Sequence, residues 1–316
     1  MRKVAGIDLG GTMIKMGIVD EKDGIIDKIE FETKLDLGFE GVVKRMVEML
    51  EELITRNAVE ISAVGIGSPG SIDHENGVIR FSPNFPGWEN VPLKAEFERL
   101  SSFQVFVEND ANSAVLGEKW FGAGKNKEHI VLLTLGTGIG GGVISHNILI
   151  KGHDGIGAEL GHTVVEPNGP LCGCGNYGCL EAIASGSAMV RFANEGRRKF
   201  PNSKIFQLEK DRGVLGAKEI FDAFRENDPL ATRIIERFID AMSTAIANFI
   251  HIFNPQIVIL GGGISRGSDV FFDELKKRVE MKVMPSFVST YELVVSPLLN
   301  DAGILGASAV ALEALK

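Results

Sequence analysis

Two glycine clusters, each lying between two β-type runs, constrain the fold of this chain more than any other sequence feature. Gly10-Gly11-Thr12 follows the apolar run Val4–Leu9, and Gly136-Thr137-Gly138 follows the apolar run Ile130–Leu135. The two clusters are 136 − 10 = 126 residues apart. We interpret this repeat as two related α/β halves that face each other across a cleft. Two unrelated glycine hairpins are the alternative, because such turns are common.

The apolar periodicity predicts strands that alternate with helices. Phe39–Asn57 carries a helical apolar stripe, and Val105–Glu108 is a short β-type run. The stretch Ala241–Ser265 has no charged residue and the length of a membrane span, but its central polar residues and its glycines predict a buried helix that runs into a buried strand. Further strands are predicted at Ile14–Val19, Ile25–Thr33, Ile61–Gly67, Gly142–Ser145, Gln256–Leu260 and Tyr291–Val295, and further helices at Pro92–Leu100, Gly216–Glu226, Pro229–Phe253, Ser268–Val279 and Ala302–Leu315.

The length and charge of the chain limit its organisation and its partners. With 316 residues it has the size of about two domains, and we predict a small α/β domain from residues 1–109 plus 298–316 and a large α/β domain from residues 110–297. The net charge of −9 argues against nucleic acid or an anionic membrane as a partner. Because Asp8 interrupts the first apolar run, we expect no signal peptide and therefore a cytoplasmic protein. We also expect a homo-oligomer, dimer or tetramer, because symmetric oligomers are the common default.

The first glycine cluster is a candidate phosphate loop. The bare backbone at Gly10 and Gly11 lets N–H groups converge on an anion, and the hydroxyl of Thr12 is a further donor. The carboxylate of Asp8 suits a hard cation and can orient Mg²⁺ through water. A plain β-hairpin turn is the alternative.

Two further glycine clusters follow apolar runs. The segment 136–141 formally matches the dinucleotide fingerprint G-x-G-x-x-G, but that fingerprint requires a helix directly after the glycines, and a β-type run follows here. We therefore interpret Gly136-Thr137-Gly138 as a second phosphate loop. Gly262 and Gly263 let a purine ring or ribose approach the backbone, with a strand-to-helix turn as the alternative. No G-x-x-x-x-G-K-[ST] segment is present, which excludes a P-loop enzyme.

The segment Glu108-Asn109-Asp110 lies between a predicted strand and a predicted helix that begins at Ala111. A carboxylate at such a strand end can accept a proton from a substrate hydroxyl, and Asn109 beside it can bind a second hydroxyl. Capping of the helix by Asp110 is the alternative, and the spacing alone favours the cap.

The cysteines predict a metal site. The chain has three of them, Cys172, Cys174 and Cys179, and His162 lies ten residues before the first. Three thiolates and one imidazole make a complete tetrahedral Zn²⁺ ligand set, which leaves no open position and predicts a structural metal. Such a metal would fix the loop that carries Glu159 and Glu181, and the other ring nitrogen of His162 can still reach a ligand. Buried free thiols are the alternative.

These motifs resemble those of the ROK family of sugar kinases and repressors over essentially the whole chain. The matching segments are Asp8-Leu9-Gly10-Gly11-Thr12, Ser82-Pro83-Asn84, Asn109-Asp110, Leu135-Gly136-Thr137-Gly138, Glu159-Leu160-Gly161-His162 and Cys172–Glu181. The resemblance implies an α/β, two-domain actin-like or ribonuclease H-like sugar kinase fold with ATP in the interdomain cleft. We expect no helix-turn-helix of the kind that the family's repressors carry.

The resemblance also implies the roles of individual residues, with Asp110 as the general base. The sugar hydroxyls are bound by Asn84, Asn109, Asp110, Glu159, His162 and Glu181, and Zn²⁺ by His162, Cys172, Cys174 and Cys179. The resemblance and the three glycine clusters together assign the nucleotide ligands, which are Asp8, Gly10, Gly11, Thr12, Gly136, Thr137, Gly138, Gly262 and Gly263. Met13 departs from the lysine or asparagine common at this position, and the reach of Lys15 to the phosphates is left open.

Within the family the residues resemble those of glucokinases most, which implies ATP-dependent phosphorylation of glucose at its terminal hydroxyl. Mg²⁺ and the two glycine loops would hold the phosphates of ATP while Asp110 accepts the hydroxyl proton. Closure of the two halves would exclude water. Fructose, mannose, allose and N-acetylmannosamine are alternative substrates, and polyphosphate is an alternative donor. A non-catalytic sugar sensor is the alternative from another class, but a sensor should have lost Asp110 or a phosphate loop.

Overall fold

The computed structural model describes residues 2–82 and 84–316, so Pro83 of the Ser82-Pro83-Asn84 motif lies outside the described residues. The strands are β1 (Lys3–Leu9), β2 (Met13–Asp20), β3 (Gly24–Glu32), β4 (Val64–Ser68), β5 (Ser71–Asp73), β6 (Val78–Phe81), β7 (Glu89–Val91), β8 (Val105–Asn109), β9 (Ile130–Leu135), β10 (Ile139–Ser145), β11 (Ile148–Leu149), β12 (Ile257–Gly261) and β13 (Glu292–Val295). The helices are α1 (Gly38–Asn57), α2 (Leu93–Leu100), α3 (Asp110–Phe121), α4 (Leu180–Ala184), α5 (Gly186–Gly196), α6 (Lys204–Arg212), α7 (Ala217–Arg225), α8 (Pro229–Phe253), α9 (Ser268–Lys282) and α10 (Ala302–Ala314).

The first sheet has the strand order β3-β2-β1-β4-β8. β2 pairs antiparallel with β1 and β3, whereas β4 is parallel to both β1 and β8. Parallel strands end at the same edge of a sheet, so Leu9, Ser68 and Asn109 reach one edge together. One face of the sheet packs against α1 in an apolar core that includes Ile7 and Leu50.

The opposite face of the first sheet lies very close to α10. A Cβ atom added at Gly65 would lie 1.9 Å from the carbonyl oxygen of Ala307, and one added at Gly6 would lie 2.2 Å from that of Ile304. Only glycine permits this approach of helix and sheet. Helix α3 also packs on α10. The helix that begins at Asp110 and the first sheet are therefore both held against α10.

The second sheet has the strand order β11-β10-β9-β12-β13, with β12 parallel to β9 and β13. The long apolar stretch forms α8 and then β12, as predicted, and Phe238 of α8 contacts Phe271 of α9 with ring centroids 4.9 Å apart. The order of hairpin strands and parallel strands matches that of the first sheet, which supports the interpretation of a repeated half. Among the described residues, no helix combines the length and apolar character needed to cross a membrane.

The chain divides into two compact units whose bounds differ from the predicted domains. The first unit comprises the described residues of Met1–Lys127 together with Gly142–Ala158 and Pro297–Lys316, and the second comprises Glu128–Gly141 and Glu159–Ser296. The predicted boundary after residue 109 is displaced because α3 packs on α10 and therefore belongs to the first unit.

Some elements also differ from the predicted ones. β10 begins at Ile139 instead of Gly142, so Gly141 lies within the strand, where an added Cβ atom would meet the Leu160 side chain at 2.5 Å. The second glycine turn is therefore shorter than the segment 136–141. β4 begins at Val64 instead of Ile61. The structure adds a small sheet of order β5-β6-β7 and the helices α4, α5 and α6, which the sequence patterns above do not include.

Candidate active site

The phosphate and sugar ligands predicted for the first unit gather at the edge where β1, β4 and β8 end. Gly11 lies against Asn84, since a Cβ atom on Gly11 would be 2.9 Å from the Asn84 carbonyl oxygen. Nδ2 of Asn109 donates to the carbonyl oxygen of Gly70 at 3.0 Å, which joins the end of β8 to the loop after β4. The side chains of Asn84 and Asp110 are exposed. This edge therefore presents an amide and a carboxylate to solvent beside a glycine turn.

The first glycine turn is fixed by hydrogen bonds to its carbonyl groups. Thr33 donates its hydroxyl to the carbonyl oxygen of Gly10 at 2.6 Å and its N–H to that of Thr12 at 2.9 Å. Gly10 donates its N–H to the carbonyl oxygen of Met13 at 3.1 Å. The turn is thus held in one backbone conformation, in which the N–H of Gly10 is used within the turn.

Asp8 belongs to a row of charged residues across the first three strands. The register pairs Asp8 with Lys15 and Lys15 with Glu30, and directly opposite residues present their side chains on the same face of a sheet. A Cβ atom on Gly303, near the start of α10, would lie 2.0 Å from Oδ2 of Asp8. Burial raises the pKa of the Asp8 carboxyl, the charge of Lys15 lowers it, and the charge of Glu30 raises it. Lys15, whose role the sequence left open, therefore lies beside Asp8 and acts on the charge of its carboxyl group.

Asn109, and not Asp110, is the N-cap of α3. Oδ1 of Asn109 accepts hydrogen bonds from the N–H groups of Ala111 at 2.9 Å and Asn112 at 3.3 Å. Asp110 is the first helical residue, and its Oδ1 accepts from the N–H of Ala111 at 2.9 Å. The alternative in which Asp110 caps the helix is wrong, because the asparagine before it already satisfies the first turn.

The second glycine turn lies in the second unit between β9 and β10. The N–H of Gly186, at the start of α5, donates to the carbonyl oxygen of Gly136 at 2.8 Å. Oε2 of Glu181 accepts from the N–H of Ile139 at 2.9 Å, directly after the turn. The predicted sugar ligand Glu181 and the predicted phosphate turn are therefore neighbours.

A cavity of about 960 Å³ opens beside this turn in the second unit. Its lining includes Gly136, Thr137, Gly263, Lys218, Arg225 and Arg266. Gly262 instead packs on the strand, because a Cβ atom there would lie 2.4 Å from the Leu135 carbonyl oxygen. The volume is that of a small-molecule site. The three cationic residues lie far from the turn in the sequence and belong to none of the motifs, so the sequence did not predict that they line this cavity.

The predicted metal ligands lie together in the second unit. The ligand atoms of His162, Cys172, Cys174 and Cys179 are all within 4.8 Å of one another. The Sγ atoms of Cys174 and Cys179 are 3.7 Å apart, and Sγ of Cys172 is 3.6 Å from Nδ1 of His162. Zn–S bonds of about 2.3 Å at tetrahedral angles place two sulfur atoms about 3.8 Å apart. The four residues therefore fit a zinc ion.

The protonation of these thiols depends on their burial. Burial raises the pKa of Cys172 and raises that of Cys179 to about 12, whereas the N–H of Asn176 lowers the pKa of Cys174. The thiol of Cys172 also donates to Oε1 of Glu181 at 3.8 Å. Glu181 therefore contacts both the metal-ligand group and the backbone that follows the second glycine turn.

The remaining predicted sugar ligands surround a short 3₁₀ turn, Leu160–His162. Glu159 directly precedes this turn and is exposed. His162 is half-buried, with Nδ1 directed toward the thiol of Cys172. Within the second unit, His162 and Glu181 thus both contact the thiol of Cys172.

Comparison with known proteins identifies the family. Residues 4–314 match the ROK family. The chain is 53% identical over 311 residues to a glucokinase of Thermotoga maritima, covering 98% of both chains. A ROK hexokinase from Thermus thermophilus superposes with a TM-score of 0.84 at 34% identity and 99% coverage of both chains. A ROK family glucokinase from Streptomyces griseus, solved in complex with glucose and AMPPNP, superposes with a TM-score of 0.82 at 33% identity and covers 98% of this chain and 99% of that one. The matches confirm the predicted fold class, and the chain belongs to the ROK family.

Proposed function

We propose that this protein is an ATP-dependent glucokinase that transfers the γ-phosphoryl group of ATP to the terminal hydroxyl of glucose, which yields glucose 6-phosphate and ADP. The observation that carries this proposal is the 53% identity to the Thermotoga maritima glucokinase over 98% of both chains. The Streptomyces griseus glucokinase, which has a similar fold, was solved with glucose and AMPPNP. Both ligands match the chemistry of the sites described above.

We propose two sets of nucleotide ligands, one in each unit. They are Asp8, Gly10, Gly11 and Thr12 in the first unit, and Gly136, Thr137, Gly138, Gly262 and Gly263 in the second. The cavity beside the second glycine turn supports the second set, since glycine backbone and the cationic side chains of Lys218 and Arg266 line it, whereas Arg225 is paired there with Asp222. Gly262 acts in this proposal by shaping the turn.

We propose that Asp8 would hold the catalytic Mg²⁺, which would neutralise charge on the transferred phosphoryl group. A carboxylate is the ligand type that this hard cation prefers. The carboxyl group lies on the charged row beside Lys15 and Glu30. Asp8 must be ionised for this role, and the charge of Lys15 favours that state.

Asp110 is the proposed general base, which accepts the proton of the attacking hydroxyl. Helix α3 does not depend on Asp110 for its cap, because Asn109 supplies it. The proposed partners of the other sugar hydroxyls are Asn84, Asn109, Glu159, His162 and Glu181. A polyhydroxylated substrate suits such an array, because each buried hydroxyl needs a hydrogen-bond partner.

We propose that His162, Cys172, Cys174 and Cys179 hold a structural Zn²⁺. The spacing of their sulfur and nitrogen atoms supports this, and Nδ1 of His162 faces the thiols. Nε2 would then remain on the opposite side of the ring for a sugar hydroxyl. A cytoplasmic location, a homo-oligomeric state and the lack of nucleic-acid binding stay predictions from the sequence.

The direct test measures ADP release with ATP and a panel of hexoses, and then with polyphosphate as donor. We expect glucose to be preferred over fructose, mannose, allose and N-acetylmannosamine. The substitution Asp110→Asn should lower kcat by about 10²–10⁴-fold, the range for loss of a general base, and should leave sugar binding intact. A near-normal rate in this variant would remove Asp110 as the base, and turnover of another hexose alone would replace glucose as the substrate.

A further inference from the structure

Strand β8 carries a buried carboxylate, Glu108, directly before the proposed sugar ligand Asn109 and the proposed base Asp110. The proposed mechanism does not use this carboxylate. Glu108 is only 2% exposed, and its Oε2 lies 2.6 Å from Nζ of Lys151. The lysine side chain is 30% exposed, so the ammonium group reaches inward from a partly exposed position. Removal of one partner from such a pair leaves an uncompensated buried charge, which is strongly unfavourable.

The other carboxylate oxygen of Glu108 binds groups on both sides of Asp110. Oε1 accepts from the N–H of Asn109 at 3.0 Å and from Nδ2 of Asn112 at 3.1 Å. Asn109 is also the cap of α3, and Asn112 is buried in the first turn of that helix. The orientation of the Glu108 carboxylate therefore fixes the backbone before Asp110 and the helical turn after it.

Lys151 is itself fixed within the first unit. Its carbonyl oxygen accepts from the N–H of Gly157 at 2.8 Å. Gly155, two residues before Gly157, packs on the imidazole of His74, where a Cβ atom would lie 2.4 Å from Cε1. These contacts give the ammonium group a defined place against Glu108.

We propose that Lys151 is a positioning residue for phosphoryl transfer. Its charge neutralises Glu108, and the neutralised carboxylate holds the first turn of α3 so that Asp110 meets the substrate hydroxyl. The proposal rests on the proposed function, because it assigns Lys151 an effect that acts through the general base. Lys151 touches no substrate in this scheme.

The test compares K151M, E108Q, K151R and the double variant E108Q/K151M in steady-state assays with glucose and ATP. Displacement of the base should lower kcat of K151M by about 10- to 100-fold. Both KM values should stay within about twofold, because substrate binding is not removed. K151R should restore most of kcat. The double variant should also be faster than K151M, because a neutral glutamine needs no counter-charge and its carbonyl oxygen still accepts from Asn109.

A matched control is R278M, which removes another partly buried cation, 21% exposed, from ion pairs with Glu236 and Glu274 in the second unit. Its Tm should fall while kcat stays unchanged. If K151M does not fold, the double variant, compared with E108Q alone, still tests the proposal, since it should approach the rate of E108Q.

Three results would overturn the proposal. They are an unchanged kcat in K151M, a raised KM for glucose or ATP at constant kcat, and a double variant as slow as K151M, which would indicate that the ammonium group acts on a substrate. Failure of the proposed function would look different, since the unmodified protein would then fail to phosphorylate glucose, or D110N would keep its rate.

Discussion

At the edge of the first sheet, the structure assigns two roles to single residues that the sequence did not settle: the cap of α3 and the charge beside Asp8. Asn109 caps α3, so Asp110 is left at the first helical position with the role proposed for it. Lys15 lies opposite Asp8 on the neighbouring strand, where its charge lowers the Asp8 pKa that burial raises. The ionisation of the proposed magnesium ligand is therefore set by residues outside the glycine turn.

This balance predicts a pH effect of Lys15→Met. Protonation of Asp8 as the pH falls through its raised pKa should remove the Mg²⁺ ligand and the activity. Without Lys15 the pKa rises further, so kcat/KM for MgATP should decline at a higher pH than in the unmodified protein. Glu30→Gln should do the opposite, because the charge of Glu30 raises the Asp8 pKa.

Lys28→Met is the control for this pH series. Lys28 is paired with Asp301 at the surface and is not among the groups that shift the Asp8 pKa. Its pH profile should match that of the unmodified protein. A K15M profile with the same acid limb would show that Asp8 ionisation does not govern activity.

At the scale of elements, α10 lies in very close contact with the first sheet. The approach depends on glycines in adjacent parallel strands, Gly6 in β1 and Gly65 in β4. The same helix begins against the Asp8 carboxylate, at Gly303. Small residues of the sheet therefore permit the close packing of the helix, and a small residue of the helix, Gly303, lies against a proposed site residue.

Gly65→Ala should destabilise the protein by about 1–3 kcal/mol, the usual cost of overpacking a core. The added methyl group would lie 1.9 Å from the Ala307 carbonyl oxygen, so helix and sheet must separate. Urea unfolding measures the effect. Gly261→Ala in β12 is the control, because its Cβ atom would meet its nearest neighbour at 3.7 Å, an ordinary contact. Equal stability of the two variants would contradict the packing argument.

The metal-ligand loop predicts a second effect of pH. Because burial raises the pKa of Cys172 and Cys179, zinc must displace protons from both thiols. We expect one zinc per chain, with affinity that falls as the pH falls and a lower Tm after chelation. Metal analysis and a zinc-release titration check this, with re-addition of Zn²⁺ against Mg²⁺ as the control. Metal-free protein with an unchanged Tm would refute the site.

At the scale of the whole molecule, both five-stranded sheets have the same order of strands. In each sheet a glycine turn connects the central strand to its hairpin partner, and further parallel strands follow on the other side. Of those parallel strands, β8 leads to the proposed ligands Asn109 and Asp110, and β12 leads to Gly262 and Gly263. The repeat of 126 residues in the sequence thus corresponds to one topology used twice.

Substrate binding should be visible as stability of the whole protein. Glucose at about 100 times its dissociation constant should stabilise the folded state by about 2.7 kcal/mol. The D110N variant should still gain Tm with glucose, because an asparagine at this position can hydrogen-bond the sugar hydroxyl although it cannot accept the hydroxyl proton. A hexose that is not phosphorylated is the control. No shift with any hexose would argue against the proposed sugar ligands.

The sequence by itself determined the features that depend on residues close together in the chain. The group of three cysteines and one histidine, the two glycine turns and the helix that runs into β12 all follow from local spacing and apolar periodicity. Short elements such as α4, and the exact limits of β10, were not predictable in this way, because a few residues carry too little apolar periodicity to mark an element.

Only the tertiary structure decided which distant residues meet. The register of β1 and β2 places Lys15 beside Asp8, and the packing of α10 places Gly303 against the same carboxylate. The pairing of Glu108 with Lys151 joins residues 151 − 108 = 43 positions apart. Such contacts depend on how strands and loops come together in three dimensions, which local patterns do not encode, whereas a turn or a metal-binding loop is specified by its own few residues.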